Sequence, residues 1–186
     1  MRKKILWITE TAVMLALLVT LQAMTKPAGQ IVTGSCVNTV LAVATLLGGL
    51  SCGLTIAILS PAMAFLLGIA PQLITVPAIM AGNAVFVLLL HYLADRTGKN
   101  IAKQISAWLL AAIAKFSVLY LLVVKVICGL ASGVLLGKKL GQTVLLAPPM
   151  LQKLPVMFAW PQLITALIGG GLALLIVPVL RRSLKK

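Results

Sequence analysis

The sequence predicts an all-α membrane protein: six apolar helices in one bundle, with both termini on the cytoplasmic side. Two observations support this prediction. Of the 186 residues, 61% are hydrophobic and the mean hydropathy is +1.15, well above the level of an ordinary soluble domain. The 16 Lys and Arg residues, against two acidic residues, mostly collect at the chain ends and in the segments that connect apolar stretches. We therefore expect a single transmembrane domain over residues 1–186.

The first predicted span covers residues 5–24. The preceding basic residues imitate a signal peptide, but the apolar run is as long as a full span and five more spans follow it. We expect it to be retained as the first helix. Pro27 and Gly29 end it in a short polar link.

The second and third spans occupy one apolar stretch that is nearly twice as long as the roughly 20 residues needed to cross a bilayer. Gly48 and Gly49 lie near its middle and predict a tight turn. The stretch is therefore predicted to form two spans, 34–50 and 51–69, with Pro61 kinking the second of them.

Three further spans are predicted in the second half of the chain. A hydrophilic loop over residues 95–100 is the clearest boundary, and a long basic link separates the last two spans. These spans are 73–94, 104–128 and 159–180, and the link is 137–158.

The distribution of basic residues predicts the orientation. Ten Lys or Arg residues lie on the side of the two termini and the 95–100 loop, and four lie on the other side. Cytoplasmic loops carry the excess of Lys and Arg in membrane proteins. Both termini are therefore expected in the cytoplasm, with the basic 137–158 link as the exception to the pattern.

The reactive side chains are too few for an enzyme. The chain has one histidine, His91, and two carboxylates, Glu10 and Asp95, which are far apart in sequence. The three cysteines form no metal-binding spacing, and no phosphate-binding loop is present. We expect no catalysis, cofactor, metal or nucleic-acid partner, and any transport would need either passive flow or an energising partner.

Polar and aromatic side chains cluster in the predicted outer halves of the spans. Buried amides are costly in lipid unless they are paired. Two interpretations stay open: a binding pocket that opens outward, or hydrogen bonds between helices together with an aromatic belt. Asn83 is the strongest single pocket candidate. The candidate substrate-binding residues are Gln30, Thr33, Asn38, Gln72, Asn83, Tyr120, Lys125, Trp160 and Gln162.

Two lysines lie within the fifth predicted span. A charge at the centre of a membrane costs about 2.5–3.5 kcal/mol on insertion scales. Lys115 and Lys125 either extend to the lipid headgroups or contact an anion, which would be a substrate or a lipid.

Ala12 and Ala16 are four residues apart in an otherwise bulky first span. Small residues at this spacing lie on one helix face and let another helix approach closely. This pair is a candidate docking strip for a second membrane protein.

Taken together, these features resemble the substrate-binding S components of energy-coupling factor (ECF) vitamin transporters. The resemblance covers most of the chain. Its elements are the chain length, six spans with inward termini, Ala12 with Ala16, the segment 30–34 leading to Asn38, Pro61, and the segment 81–83.

The resemblance implies a binding subunit in the bacterial plasma membrane. Such a subunit captures a vitamin or related micronutrient at the outer face and delivers it inward with a transmembrane T component and two ATPases. Ala12 and Ala16 would contact the T component, and residues 25–35 would act as a gate. Pantothenate or another small anionic vitamin suits the candidate residues best.

An accessory or assembly protein of another membrane complex is the alternative. It would use the same small-residue strips but bind no small molecule, and its outer polar groups would pair with one another.

Overall fold

The computed structural model describes residues 2–69, 72–95, 100–141 and 143–183. Within this part of the chain the backbone is almost entirely helical. The α-helices are α1 (Arg2–Thr25), α2 (Gln30–Leu66), α3 (Val76–Leu93), α4 (Ile101–Leu119), α5 (Ser132–Leu135), α6 (Pro148–Met157) and α7 (Trp160–Ser183). Two 3₁₀ turns (Lys26–Ala28 and Leu73–Thr75), a π-helical segment (Tyr120–Leu130) and the strands β1 (Lys139–Leu140) and β2 (Thr143–Val144) complete the described elements.

The prediction of an all-α fold is confirmed. Five helical segments of the described chain are long and apolar enough to cross a membrane. They are Lys4–Ala28, Gln30–Leu66, Leu73–Leu93, Ile101–Leu130 and Trp160–Ser183.

Helix α2 is the element in which the predicted second and third spans meet. Gly49 inside it has φ 84° and ψ −174°, a backbone conformation that is essentially restricted to glycine. The helix is therefore broken into two segments, 30–48 and 50–66, at the glycine pair that the sequence singled out. By contrast, the helix continues through Pro61.

The first segment of α2 begins earlier than predicted, at Gln30 rather than at residue 34. Gly29, with φ 92°, ends the preceding turn. The hydroxyls of Thr33 and Ser35 then donate to the carbonyls of Gly29 and Ile31, four residues earlier. Because these hydroxyls bond to the helix's own backbone, the polar residues near position 30 are accommodated inside the helix.

The fifth predicted span corresponds to α4 and the π-helical segment that continues it. Helix α4 begins at Ile101, where the side chain of Asn100 accepts a hydrogen bond from the Lys103 amide. Of the predicted 95–100 loop, residues 96–99 lie outside the described part of the chain.

The predicted 137–158 link contains regular secondary structure. A short antiparallel hairpin, with Gly137 and Gly141 at positive φ, leads into α6, which begins at Pro148. Leu146 and Leu154 are fully buried against the π-helical segment. The link thus adds a second apolar core to the bundle.

Helix α2 is central in the described structure and packs against α1, α3 and α7, while α4 packs against α3 and α7. Glycines allow these close approaches. A Cβ atom on Gly169 of α7 would lie 2.5 Å from the Ser35 carbonyl oxygen, and one on Gly82 of α3 would lie 2.7 Å from Leu119 Cγ. These contacts fix how α7 faces α2 and how α3 faces α4.

Candidate functional site

A cavity of about 330 Å³ lies at the end of the bundle where α1 ends and α2, α3 and α7 begin. Its volume is at the small end of the range for ligand sites, about 300–1,000 Å³. It is lined by Gln22, Lys26, Gly29, Gln30, Thr33, Gly34, Val37, Asn38, Ser60, Pro61, Ala64, Ile69, Ile79, Asn83, Lys115, Met157, Phe158 and Gln162.

The ammonium group of Lys115 lies at the inner wall of this cavity. Lys115 is only 3% exposed, and its Nζ donates to Asn38 Oδ1 at 2.5 Å and to Asn83 Oδ1 at 2.7 Å. The ring of Phe86 lies 5.5 Å from Nζ, within the range of a cation–π contact. Three helices therefore hold one buried cation between two amides.

The side-chain amide nitrogen of Asn38 makes two hydrogen bonds that fix the orientation of the side chain. Its Nδ2 donates to the carbonyl of Gly34 at 2.9 Å and, more weakly, to Thr165 Oγ1 at 3.4 Å. Gly169, one turn after Thr165 on α7, leaves no room for a larger residue, since a Cβ there would lie 2.5 Å from Asn38 Cβ. The Asn38 oxygen is thereby turned toward Lys115.

The orientation of the Asn83 side chain depends on Pro61. A proline has no N–H, so the carbonyl four residues earlier in its helix loses its usual donor. That carbonyl belongs to Ala57, and Asn83 Nδ2 donates to it in a long hydrogen bond of 3.5 Å. With its nitrogen used in this way, Asn83 presents its oxygen to Lys115.

The two carboxylates of the chain lie away from the cavity. Glu10 Oε2 lies beside Gly48, at the break in α2, and Asp95 Oδ2 accepts a hydrogen bond from the Asn100 amide. Asn38 and Gly48 are ten residues apart on the same helix, a separation of about 15 Å along its axis. Among the described residues, Lys115 thus has amide and aromatic neighbours but no carboxylate partner.

Two further polar groups face the cavity without a partner. The side-chain oxygens Gln22 Oε1 and Ser60 Oγ are buried, and neither has a hydrogen-bonding partner among the described residues. Gln22 is 8% exposed and Ser60 is 1% exposed. Buried polar atoms are normally satisfied, so these two are free to bond to something inside the cavity.

The mouth of the cavity is crossed by three hydrogen bonds. Lys26 Nζ donates to the Gly68 carbonyl at 2.6 Å, which joins the α1–α2 turn to the end of α2. Gln30 Nε2 and Gln162 Nε2 both donate to the carbonyl of Met157, at 2.5 and 3.3 Å. The connecting segments are therefore held together over the cavity by side chains.

Five of the nine predicted binding residues line this single cavity. They come from three different helices, which the sequence could not show to be adjacent. They are Gln30, Thr33, Asn38, Asn83 and Gln162.

The other four predicted residues do not line the cavity. Tyr120 and Trp160 both pack against the ring of Phe116, at centroid distances of 5.9 and 6.0 Å, and Lys125 Nζ lies 5.7 Å from the Tyr120 ring. Trp160 and Lys125 are exposed. Gln72 is half-buried near the start of α3. The first three form an aromatic and basic patch on the outside of the bundle.

Lys115, Gln22 and Ser60 were not among the predicted binding residues. A signal for Lys115 was present: Ala107, Ala111, Lys115 and Leu119 recur every four residues, and all of them are buried. Small residues on the same stripe place Lys115 on the face of α4 that packs against other helices. We found no comparable signal for Gln22 or Ser60.

The predicted docking pair lies on the surface. Ala12 and Ala16 are both exposed on α1. In the described part of the chain, no group of three or more His, Cys, Asp or Glu side chains is placed to hold a metal ion.

Comparison of the chain with protein-family models, with curated proteins and with solved structures gave no match.

Proposed function

We propose that this chain is the membrane-embedded substrate-binding subunit of an ECF-type importer. It captures a vitamin or related micronutrient at the outer face of the bacterial plasma membrane. A transmembrane T component and two ATPase subunits then drive delivery to the cytoplasm.

One observation carries the proposal: a small cavity at one end of a bundle of apolar helices, in whose wall polar side chains converge among apolar ones. Polar side chains cost free energy among membrane-spanning helices, and they mark ligand or ion pathways when they line a cavity. Asn38, Asn83 and Lys115 meet there from three helices, and Gln30 and Gln162 cover them. This arrangement fits a binding protein better than a purely structural bundle.

The proposed topology has six spans, because the break at Gly49 divides α2 into two helical segments. With both termini in the cytoplasm, α1 ends and α3 and α7 begin at the outer face. The cavity is lined by residues from these ends, so it would open outward. This orientation depends on the Lys and Arg distribution of the sequence.

The proposed partners follow from what the chain lacks. Its sequence contains no phosphate-binding loop, so the energy for uptake would come from ATPase subunits. The exposed Ala12 and Ala16 on α1 offer a smooth helix face for the T component.

Co-purification tests the proposal. The tagged chain, produced in its own host, is expected to bring down a transmembrane partner and two ATPases, and to release a small molecule on denaturation. Mass spectrometry identifies both. Recovery of an unrelated membrane complex, with no small molecule released, would instead establish the accessory-protein alternative.

A further inference from the structure

We infer that the cavity binds a small molecule with one carboxylate, which pairs with the ammonium group of Lys115, and with at least one hydrogen-bond donor. The inference rests on the proposed function, since it names the substrate class of that same site. It depends on three properties of the cavity: its uncompensated charge, its unused hydrogen-bonding groups and its size.

The charge is the first property. Lys115 is almost completely buried, and the two carboxylates of the chain lie elsewhere. A buried charge is costly unless it is paired with an opposite charge. The amide oxygens of Asn38 and Asn83 and the Phe86 ring stabilise the ammonium, but none of them carries a negative charge. An anion in the cavity would supply it.

The number of free N–H donors on Lys115 limits how many anionic groups the site can bind. An ammonium group has three N–H donors. Lys115 uses two of them on Asn38 and Asn83, which leaves one for a ligand. The Asn38 amide nitrogen donates twice to the protein and the Asn83 amide nitrogen donates once, so Asn38 has no N–H left for a ligand and Asn83 has one. Both residues orient Lys115 through their side-chain oxygens.

The one N–H of the Lys115 ammonium that is left and its single positive charge match a monocarboxylate. A phosphate would bring more charge and more acceptor oxygens than this inner wall can satisfy. Lys26, the other lysine that lines the cavity, is exposed at the mouth and donates to the Gly68 carbonyl.

The unpartnered oxygens supply the second recognition element. An amide oxygen such as Gln22 Oε1 accepts but does not donate, so it requires an O–H or N–H on the ligand. Ser60 Oγ can donate or accept. A ligand with a hydroxyl or an amide N–H in addition to its carboxylate would bond to both kinds of group.

The size of the cavity excludes the largest candidates. A volume of about 330 Å³ suits a compact molecule and not a macrocycle with a nucleotide tail. The Lys26–Gly68 and Gln30–Met157 hydrogen bonds cross the mouth of the cavity.

Matched pairs of probes test this inference on the unmodified protein. The detergent-purified chain is freed of small molecules and titrated with pantothenate and pantothenol, nicotinate and nicotinamide, and biotin and biotin amide. Each pair differs in the carboxylate alone. Thiamine, a cation, and riboflavin, which lacks a carboxylate, complete the panel. We expect an acid to bind at least about 100-fold more tightly than its neutral counterpart, by isothermal titration calorimetry.

Three variants assign the effect to the cavity. Lys115→Met keeps the length of the side chain but removes the charge, and it should abolish the preference for the acid. Lys125→Met, which alters an exposed lysine of the same span, should bind like the unmodified chain. Ser60→Ala should weaken binding by about 3–10-fold without lowering the unfolding temperature, because Ser60 Oγ has no hydrogen-bonding partner among the described residues.

The outcomes separate this inference from the proposed function. Equal binding of an acid and its neutral counterpart, or binding of thiamine or riboflavin alone, overturns the carboxylate assignment and leaves the binding function intact. If no small molecule is released from the purified protein and no probe binds, the binding function fails and the carboxylate assignment fails with it. The comparison of probes needs no variant, so it decides the question even if Lys115→Met does not fold.

Discussion

Asn83 on α3 donates its side-chain amide to the carbonyl of Ala57 on α2, across a distance of 3.5 Å. Pro61 leaves that carbonyl without a donor in its own helix. The bond links a helix irregularity to the orientation of a buried polar group, since the Asn83 oxygen then accepts from Lys115. A proline that first suggests only a kink therefore takes part in building the candidate site.

A carboxylate placed at position 83 should replace the ligand's negative charge. Asn83→Asp is expected to pair with Lys115 and to weaken binding of an anionic ligand at least about 100-fold. Asn83→Ala is the matched control, because it removes the same amide without adding a charge. Asn83→Ala should weaken ligand binding less than Asn83→Asp does. Its unfolding temperature in detergent should be lower than that of Asn83→Asp. Equal affinities in the two variants would show that charge at this position does not matter.

The break in α2 should depend on glycine at one position. Gly49→Ala forces a side chain into φ 84° and ψ −174° and is expected to destabilise the protein by about 1–3 kcal/mol. Gly129→Ala is the control, since Gly129 is not among the glycines at positive φ and a Cβ there would make only an ordinary contact at 3.5 Å. Thermal unfolding in detergent measures the stability of both variants. An unchanged midpoint for Gly49→Ala would mean that the break relaxes easily.

We expect any side chain larger than that of Gly169 to disrupt the contact between α7 and α2. In Gly169→Ala the new Cβ would lie 2.5 Å from both Asn38 Cβ and the Ser35 carbonyl oxygen, so the helices must separate. We expect a loss of about 1–3 kcal/mol in stability, together with weaker ligand binding because Asn38 moves. Gly133→Ala, where a Cβ would meet nothing within 4 Å, should change neither quantity.

The exposed face of α1 should matter for assembly but not for ligand binding. Ala12→Trp and Ala16→Trp each place a bulky ring on the proposed docking strip and are expected to abolish uptake and co-purification of the T component. Binding of the small molecule by the isolated chain should stay within about twofold, since neither residue lines the cavity. Leu17→Trp, on a different exposed face of α1, serves as the control. Normal uptake by both alanine variants would remove the docking proposal.

Much of the fold was predictable because helix length and apolar composition are properties of the chain itself. The predicted first, fourth and last spans match α1, α3 and α7 within a few residues. The break at Gly49 was also predicted, because an apolar stretch of that length exceeds the thickness of a bilayer. The hairpin and α6 were missed, since a short basic and proline-containing segment gives little periodic signal.

The candidate site was only partly predictable. Polar residues in apolar helices, such as Asn38 and Asn83, stand out in the sequence because they are costly in lipid. Their common position could not be derived, because it depends on how α2, α3, α4 and α7 rotate against one another. Tyr120 and Trp160 looked equally suitable by depth, yet both pack on Phe116 outside the bundle.

The sequence by itself determined that the chain forms long apolar helices with few reactive groups, because these features depend on composition and local order. Only the tertiary structure decided that Lys115 points inward between two amides and that Gln22 and Ser60 face the same cavity. The physical reason is that helix packing depends on close contacts such as Gly169 against Asn38, which join residues more than 100 positions apart. No local pattern in the chain records such a contact.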